Sequence, residues 1–380
     1  MTTPAEHGFS TPSEGPGVGS SRVPASTEEA SELLKAVTGG TVAIRGAGTK
    51  QDWGGKLEEP ELIVDTRALT GVVEHAAGDL IVVVRAGTPM AELRDQLAAQ
   101  GQQLALDEPI AGATVGGTVA ANTSGPRRML YGTARDLVIG MTIVRADGTV
   151  AHSGGKVVKN VAGYDLGKLF TGSYGTLGLI TQLAFRLHPL PESVAFVRSR
   201  VADYAAVLAG IRSAQVVPSA VEVDSASGEI AVLLEGTAAG VRARAATLAK
   251  ILGGDAGRPD WWGRYPWQPG GTGIKVTAAL SRVPGLLTGR VKLRGSAGTG
   301  VLYAGLSAET PAEEVARCVD ELRTAAHDAG GHAVVLTAPH EVRERVDIWG
   351  PVDGLALMWR VKQQFDPQAR LAAGRFVGGI

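Results

Sequence analysis

The sequence predicts an α+β protein in two parts: a larger N-terminal ligand-binding unit, then a smaller α+β unit. Three observations carry that reading. Short apolar runs of strand length alternate with segments whose apolar residues recur at helical spacing. Glycine is dense between Ala111 and Ile180, beside branched apolar residues rather than the Ser and Asn of a linker. Ordered glycine costs conformational entropy, so a folded chain keeps it where a side chain would obstruct the backbone. Lastly, His188-Pro-Leu-Pro191 separates two stretches of different pattern and marks a domain boundary.

In chain order, residues 1–22 are rich in Thr, Pro, Ser and Gly and read as a disordered tail. Residues 28–37 follow Ser26-Thr27 and form a capped helix. A strand at 41–44 runs into Arg45-Gly-Ala-Gly-Thr-Lys50. Strands follow at 62–65 and 80–85, the second so apolar that both its faces should be buried. A helix opens with Thr88 at its N-cap and Pro89 just inside, and ends near Gly101. Runs 138–145 and 149–152 bracket Ala-Asp-Gly as a hairpin, and 177–187 is a further strand.

The first unit is therefore expected to span 23–190, and the second 191–364. The second holds helices at 205–213, 239–252 and 311–329 and strands at 220–223, 230–235, 275–280, 291–293, 301–306 and 333–337. Segment 365–380 is Gly-rich and lacks clear periodicity.

Composition removes several classes of function. With 44% hydrophobic and 20% charged residues the 380-residue chain is of ordinary globular type. A net charge of −1 gives no electrostatic case for nucleic acid or an anionic membrane surface. The one cysteine, Cys318, excludes an internal disulfide and a cysteine-ligated iron–sulfur cluster within this chain, and it reads as a buried thiol on a helix. No apolar run is long enough to span a bilayer, and the N-terminus lacks a signal-peptide core, so a cytoplasmic protein is expected.

Motif tests narrow the ligand. Arg45-Gly-Ala-Gly-Thr49 offers consecutive backbone N–H groups that suit a pyrophosphate, although a plain glycine turn would read the same way. A Rossmann fingerprint needs a third glycine where Gln51 stands, then a helix, and Asp52-Trp-Gly-Gly55 breaks one. Gly163-Tyr-Asp-Leu-Gly-Lys168 is one residue short of a Walker loop and has Leu169 in place of Ser or Thr. The seven histidines are scattered, with no helical pair for a metal, and no Gly-x-Ser-x-Gly elbow occurs.

Three ordered motifs remain. They are Ala111-Gly-Ala-Thr-Val-Gly-Gly-Thr-Val-Ala-Ala-Asn-Thr-Ser-Gly-Pro126 with Tyr131-Gly-Thr-Ala-Arg-Asp136, then Lys159-Asn-Val-Ala-Gly-Tyr-Asp165, then Gly172 to Ile180. Together they resemble the FAD-binding domain of the vanillyl-alcohol oxidase, or p-cresol methylhydroxylase (PCMH), type over about residues 23–191. Such a domain has two subdomains. The run from Lys159 to Gly178, with the closing Phe365-Asp-Pro and Gly374-Arg375, is most similar to the glycolate oxidase and D-lactate dehydrogenase branch. Ala372-Ala373 replaces the Asn-Pro usual before that Gly-Arg.

The resemblance implies site roles by position. Arg45, Gly46, Ala47, Gly48 and Thr49 would hold the FAD pyrophosphate. Thr114, Val115, Gly116, Gly117 and Thr118 would approach the isoalloxazine and ribityl chain. Asn122, Gly125 and Tyr131 would lie near the cofactor, with turn and core structure as the alternative for Asn122, Tyr131 and Asp165. Gly175, Gly178 and Ile180 would close the adenine and ribityl side. Segment 365–380 would return to the FAD domain. Thr49 stands where covalent members carry a His, so FAD would be held non-covalently.

Substrate-oxidising subunits of this branch carry a late Gly-His-x-Gly-Asp-x-Asn-x-His stretch whose imidazoles bind or deprotonate the hydroxy acid. Nothing from 306 to 380 resembles it beyond Gly330-Gly-His332. The chain therefore resembles the E subunit type of glycolate oxidase. That likeness implies a larger FAD-binding catalytic subunit and an iron–sulfur subunit as partners, glycolate or another small 2-hydroxy acid as substrate, and attachment to the inner membrane only through those partners. No catalytic residue is identified. Two alternatives stand: a self-sufficient hydroxy-acid dehydrogenase with a base from His332, His340 or Tyr303, and a non-redox assembly subunit. Trp261-Trp262 with Trp267, between Gly and Pro residues, is either an anchor for a partner or a plug on its own domain.

Overall fold

The structure is a computed structural model that describes residues 19–155 and 165–380. Strand Leu62–Asp65 lies between Ser20–Arg22 and Val42–Arg45, all parallel. Of the stretch expected as a tail, Ser20–Arg22 is instead a strand, because it finds an open sheet edge to pair with. Beside this small sheet stands a five-stranded antiparallel one, in the order Val72–Ala76, Ile81–Arg85, Leu179–Arg186, Val138–Val144, Val150–Gly154. Its apolar run Ile81–Arg85 is buried on both faces, with Val82 and Val84 fully covered. Segment His188–Pro189 pairs with Gln102–Gln103, so the proline pair is tied back to this first unit.

Residues 193–337 build an eight-stranded antiparallel sheet, ordered Asp255–Ala256, Ser193–Arg200, Glu229–Gly236, Ala220–Asp224, Arg294–Ser296, Val301–Leu306, Thr272–Thr277, Ala333–Thr337. Side chains alternate across a strand, so each face can be read from register. Val221, Val223, Val232, Leu234, Val276 and Leu302 pack with helices Tyr204–Ser213, Ala238–Leu252 and Ala312–Asp328 in one core. Cys318 is buried in the last of these helices. The opposite face carries Glu222 across from Ser296, and Arg294 and Lys275 flanking Tyr303. That face meets the first unit.

The closing segment also packs on the first unit. Lys362, at the end of helix Leu355–Phe365, donates to Thr176 O (2.8 Å), Asp366 Oδ2 (2.8 Å) and Leu371 O (2.9 Å). Val42 N–H donates to Arg370 O and Ala372 N–H to Val42 O, both at 2.8 Å.

Several elements differ from expectation. The helix expected at Thr88 begins at Met90, because the Thr88 hydroxyl is taken by the Gly71 N–H at 2.9 Å. Segment 291–293 is not a strand; pairing starts one residue on, at Arg294–Ser296, and 275–280 is shifted to Thr272–Thr277. Strands Val72–Ala76 and Ser193–Arg200 and helices Val115–Ala120 and Leu355–Phe365 were not expected at all. Val115–Ala120 has two glycines and poor intrinsic propensity. Its first turn is held from outside, Val115 N–H donating to Thr88 O (2.9 Å) and Gly116 N–H to Ala86 O (2.7 Å).

Candidate functional site

Strand Val42–Arg45 ends at a turn, 46–50, that faces the start of helix Val115–Ala120 and the loop after Gly172. These three segments surround one cleft of about 650 Å³. Of the residues expected at a site, Gly46, Ala47, Gly48, Thr49, Thr114, Gly116, Gly117, Gly175, Gly178 and Ile180 line it together. The N–H groups of Ala47, Gly48 and Thr49 make no hydrogen bond with any described residue. Consecutive free N–H groups in such a turn form a concave anion site.

The glycines serve two purposes. A Cβ on Gly46 would lie 2.4 Å from Thr114 Oγ1, and one on Gly116 would lie 2.7 Å from Ala86 Cβ. These two permit close approach of chain to chain, not of chain to ligand. Gly48 has only Gln51 Cγ near, at 3.8 Å, so its missing side chain leaves open space. Thr114 caps its helix by accepting the Gly117 N–H at 3.2 Å.

Six expected residues lie outside the cleft's lining. Val115 is core, and Thr118 is almost fully buried with its hydroxyl unpartnered. Arg45 turns to Asp65, 3.3 Å away. Asn122 takes a left-handed φ of 47° and buries its Oδ1 without a partner. Gly125 lines a second cavity, where a Cβ would meet Asp107. Tyr131 packs edge-on against His188 at 4.8 Å, its phenol pushed up to about 12 by burial and by Glu235. The chain leaves the cleft after Ala121, which removes Asn122, Gly125 and Tyr131 from it. Lys159 to Tyr164 lie outside the described residues.

Among the cleft residues that the sequence reading did not assign are Lys50, Tyr174 and Arg375, the two cations and the one aromatic ring of the lining. Burial pulls the Lys50 ammonium down to about 8, with Glu108 opposing and Arg375 adding to the shift. Arg375 donates to Trp53 O and Lys50 O and sits 5.6 Å from the Tyr174 ring. Neither cation has a carboxylate within ion-pair distance among the described residues. Tyr174 holds a left-handed φ of 57°, strained for an aromatic residue, with its N–H on Ala120 O at 2.9 Å. The clues were Arg375 in the closing Gly-Arg and Tyr174 at a variable position of the last motif. Free N–H groups, two unpaired buried cations and open glycine surface fit a pyrophosphate-bearing nucleotide. No described residue lining the cleft is His or Cys.

Between the units lies an aromatic cluster of Trp53, Tyr174, Tyr303, Tyr265, Trp267, Trp349 and Phe376. Beyond it is the second cavity, of about 380 Å³, whose lining includes Arg128, Glu222, Tyr265 and Tyr303. Burial pushes the Glu222 carboxyl up to about 8, against the opposing pull of Arg128. Of the three candidate bases, Tyr303 alone is here; His332 is exposed and His340 lies on the surface beside Glu344. Trp261 and Trp262 are buried on Ala220, Ala231 and Leu233 of their own sheet, with Trp261 Nε1 donating to Glu229 at 2.8 Å. They plug their own unit, and Trp267 joins the cluster between units.

Among the described residues no helix is long and apolar enough to cross a membrane, and no group of three or more His, Cys, Asp or Glu could hold a metal. A family model described as an FAD binding domain matches residues 22–154, and FAD is the cofactor of this domain. The glycolate oxidase subunit GlcE of Escherichia coli is 36% identical over 162 residues, 42% of this chain and 46% of that protein. Subunit GlcD of glycolate oxidase from Bacillus subtilis is 31% identical over 205 residues, 52% of this chain and 44% of that protein. The chain thus spans under half the length of these curated relatives. A solved structure of alkyldihydroxyacetonephosphate synthase superposes with a TM-score of 0.66 at 17% identity, over 93% of this chain and 76% of that one. The fold is accordingly the α+β fold of PCMH-type FAD-binding proteins.

Proposed function

We propose that this chain is an FAD-binding subunit of a complex that oxidises a small 2-hydroxy acid, with glycolate to glyoxylate as the leading case. In this reading it is accessory or electron-transferring rather than the main catalytic subunit, and it works beside a larger flavoprotein subunit and an iron–sulfur subunit. The observation that carries it is the cleft where three separate glycine motifs converge on free N–H groups, Lys50 and Arg375. Likeness to subunits of glycolate oxidase supports the substrate class.

In that role the turn 46–49 would take the pyrophosphate by backbone N–H groups, with Lys50 and Arg375 balancing its charge. Gly116, Gly117, Gly175, Gly178 and Ile180 would shape the wall along the rest of the nucleotide. Thr49 stands where covalent members carry a His, so in this reading attachment is non-covalent. When bound, FAD would supply an electron carrier between the larger flavoprotein subunit, where the hydroxy acid is oxidised, and the iron–sulfur subunit. Tyr174 and the aromatic cluster exclude water from the side facing the second unit.

The boundaries proposed for the units are 23–190 and 191–364, with 365–380 completing the first. A second reading, a self-sufficient dehydrogenase, draws support from Tyr303 and Arg128 standing together between the units. Anaerobic titration of the purified chain with glycolate and D-lactate separates the two. A yellow protein bleached only when the larger subunit is added supports the first. Bleaching of the chain alone removes it in favour of the second, and a colourless protein that cannot be reconstituted removes both.

A further inference from the structure

The sheet of the second unit is asymmetric in a way that packing does not require. One face is apolar and covered by helices, whereas the other buries Glu222 (6% exposed), Asp224 (5%), Ser296 (3%) and Tyr303 (8%) against the first unit. Burying polar groups costs free energy unless each is hydrogen-bonded. Some of these are not. Glu222 Oε1 and Ser296 Oγ make no well-formed hydrogen bond among the described residues, although the two side chains stand opposite one another and Ser296 opposes the rise in the Glu222 carboxyl.

Arg128 faces this surface from the first unit. Its Nε donates to Gly125 O at 2.9 Å and its Nη2 to Tyr303 Oη at 3.1 Å, while Nη1 has no described acceptor. No carboxylate lies within ion-pair distance of it among the described residues, Glu222 included. The other acids around the cavity are already occupied: Asp224 by Arg294 at 3.2 Å and Asp107 by Arg127 at 2.7 Å. Lys275 stands beside Tyr303 on the neighbouring strand, and Arg264 is exposed in the lining.

We propose that the cavity between Arg128 and the Glu222–Tyr303 face is a binding site for a small carboxylate. The guanidinium of Arg128 takes the carboxylate, Tyr303 Oη supplies a second donor, and Glu222 donates as a neutral acid. The charge balance selects an anion, because Arg128 is unpaired and Glu222, with its carboxyl raised to about 8 by burial, is mostly uncharged at neutral pH. Guanidinium favours a planar, two-oxygen acceptor, which points to carboxylate before a spherical anion. The cavity draws its lining from both units, Arg128 from the first and Glu222, Tyr265 and Tyr303 from the second, so a small anion there would touch both. That a 2-hydroxy acid is the natural occupant rests on the function proposed above; the selectivity for carboxylate does not.

The test uses the full FAD-loaded chain at pH 7 and calorimetric titration with propanoate, which has no oxidisable hydroxyl. Propanamide is the neutral control and inorganic phosphate the alternative anion. Propanoate should bind, and propanamide and phosphate should each bind at least about tenfold more weakly, the weight of one charge-assisted hydrogen bond. Arg128→Met should weaken propanoate by about tenfold or more. Tyr303→Phe keeps the ring in the cluster and should cost about three- to tenfold, so it carries the test if Arg128→Met does not fold. Equal binding of propanamide or phosphate, or unchanged affinity in Tyr303→Phe, overturns the site. Propanoate binding without bleaching by hydroxy acids, whether or not the larger subunit is added, would leave this site standing and remove the oxidation reading. Bleaching with propanoate affinity unchanged in Tyr303→Phe would do the reverse.

Discussion

The cleft at the end of strand Val42–Arg45 is walled largely by main chain, whereas the cavity under Tyr303 is walled by side chains. In the first, recognition comes from N–H groups, and most side chains have been reduced to hydrogen or methyl. In the second, recognition comes from Arg128, Glu222 and two tyrosines drawn from distant parts of the chain. A backbone site is specified by where side chains are missing, which makes it tolerant of identity but intolerant of volume. A side-chain site depends on identity and charge. Substitutions should therefore separate the two cavities.

The largest effect should come from the tether behind the cleft. Lys362→Met leaves Asp366 buried without its cation and frees Thr176 O and Leu371 O. A loss of roughly 3–5 kcal/mol is expected from denaturant unfolding, together with a lower ratio of flavin to protein absorbance. If stability falls but flavin content holds, the closing segment does not support the cleft.

Next is the pH dependence of the second cavity. Glu222 is raised in the folded state to about 8, so the folded chain holds a proton there that the unfolded chain gives up near 4.5. Stability from this group is therefore full below about 4.5 and falls as pH rises through the window to about 8, by up to about 1.4 kcal/mol per unit. Arg128, Asp107, Arg294, Lys275 and Tyr303 are the charged or titratable groups around it. Glu222→Gln should flatten the slope of unfolding free energy between pH 5.5 and 7.5. An unchanged slope would assign it to other groups.

Gly116→Val tests volume at the cleft. Its Cβ would meet Ala86 at 2.7 Å, and overpacking of this kind costs about 1–3 kcal/mol. Flavin retention after gel filtration should drop, while propanoate affinity, normalised to folded protein, should not. Thr114→Ala removes the N-cap to Gly117 and should cost about 1 kcal/mol in unfolding free energy, with a modest rise in flavin Kd. Loss of propanoate binding in either variant would mean that the two cavities act as one.

The cleft was largely legible because its information is local. Turn 46–49 and residues Thr114, Gly116, Gly117, Gly175 and Gly178 each sit in a short motif, and each motif reads without knowledge of the others. Expected residues fall outside the lining where a motif's residue turns away from its neighbours. Val115 and Thr118 point into the core and Arg45 to Asp65, choices set by which side of the helix or strand faces the sheet. Helix Val115–Ala120 was invisible because carbonyls of the turn after strand Ile81–Arg85, not its own propensity, satisfy its first N–H groups.

By itself, the sequence determined the α+β class, most strands of the three larger sheets, the order of three FAD-type motifs and the absence of the histidine stretch. These follow from apolar periodicity and from the placement of glycine, which are properties of neighbouring residues. Tertiary structure alone decided that Lys50, Tyr174 and Arg375 join the cleft, that Trp261 and Trp262 turn inward, and that Arg128 meets Glu222 and Tyr303. Arg128 lies 175 residues from Tyr303 and Lys50 lies 325 from Arg375, while even Trp261 and Glu229 are 32 apart. Their geometry is fixed by the register of the eight-stranded sheet and by how it packs on the first unit, and no local pattern encodes it.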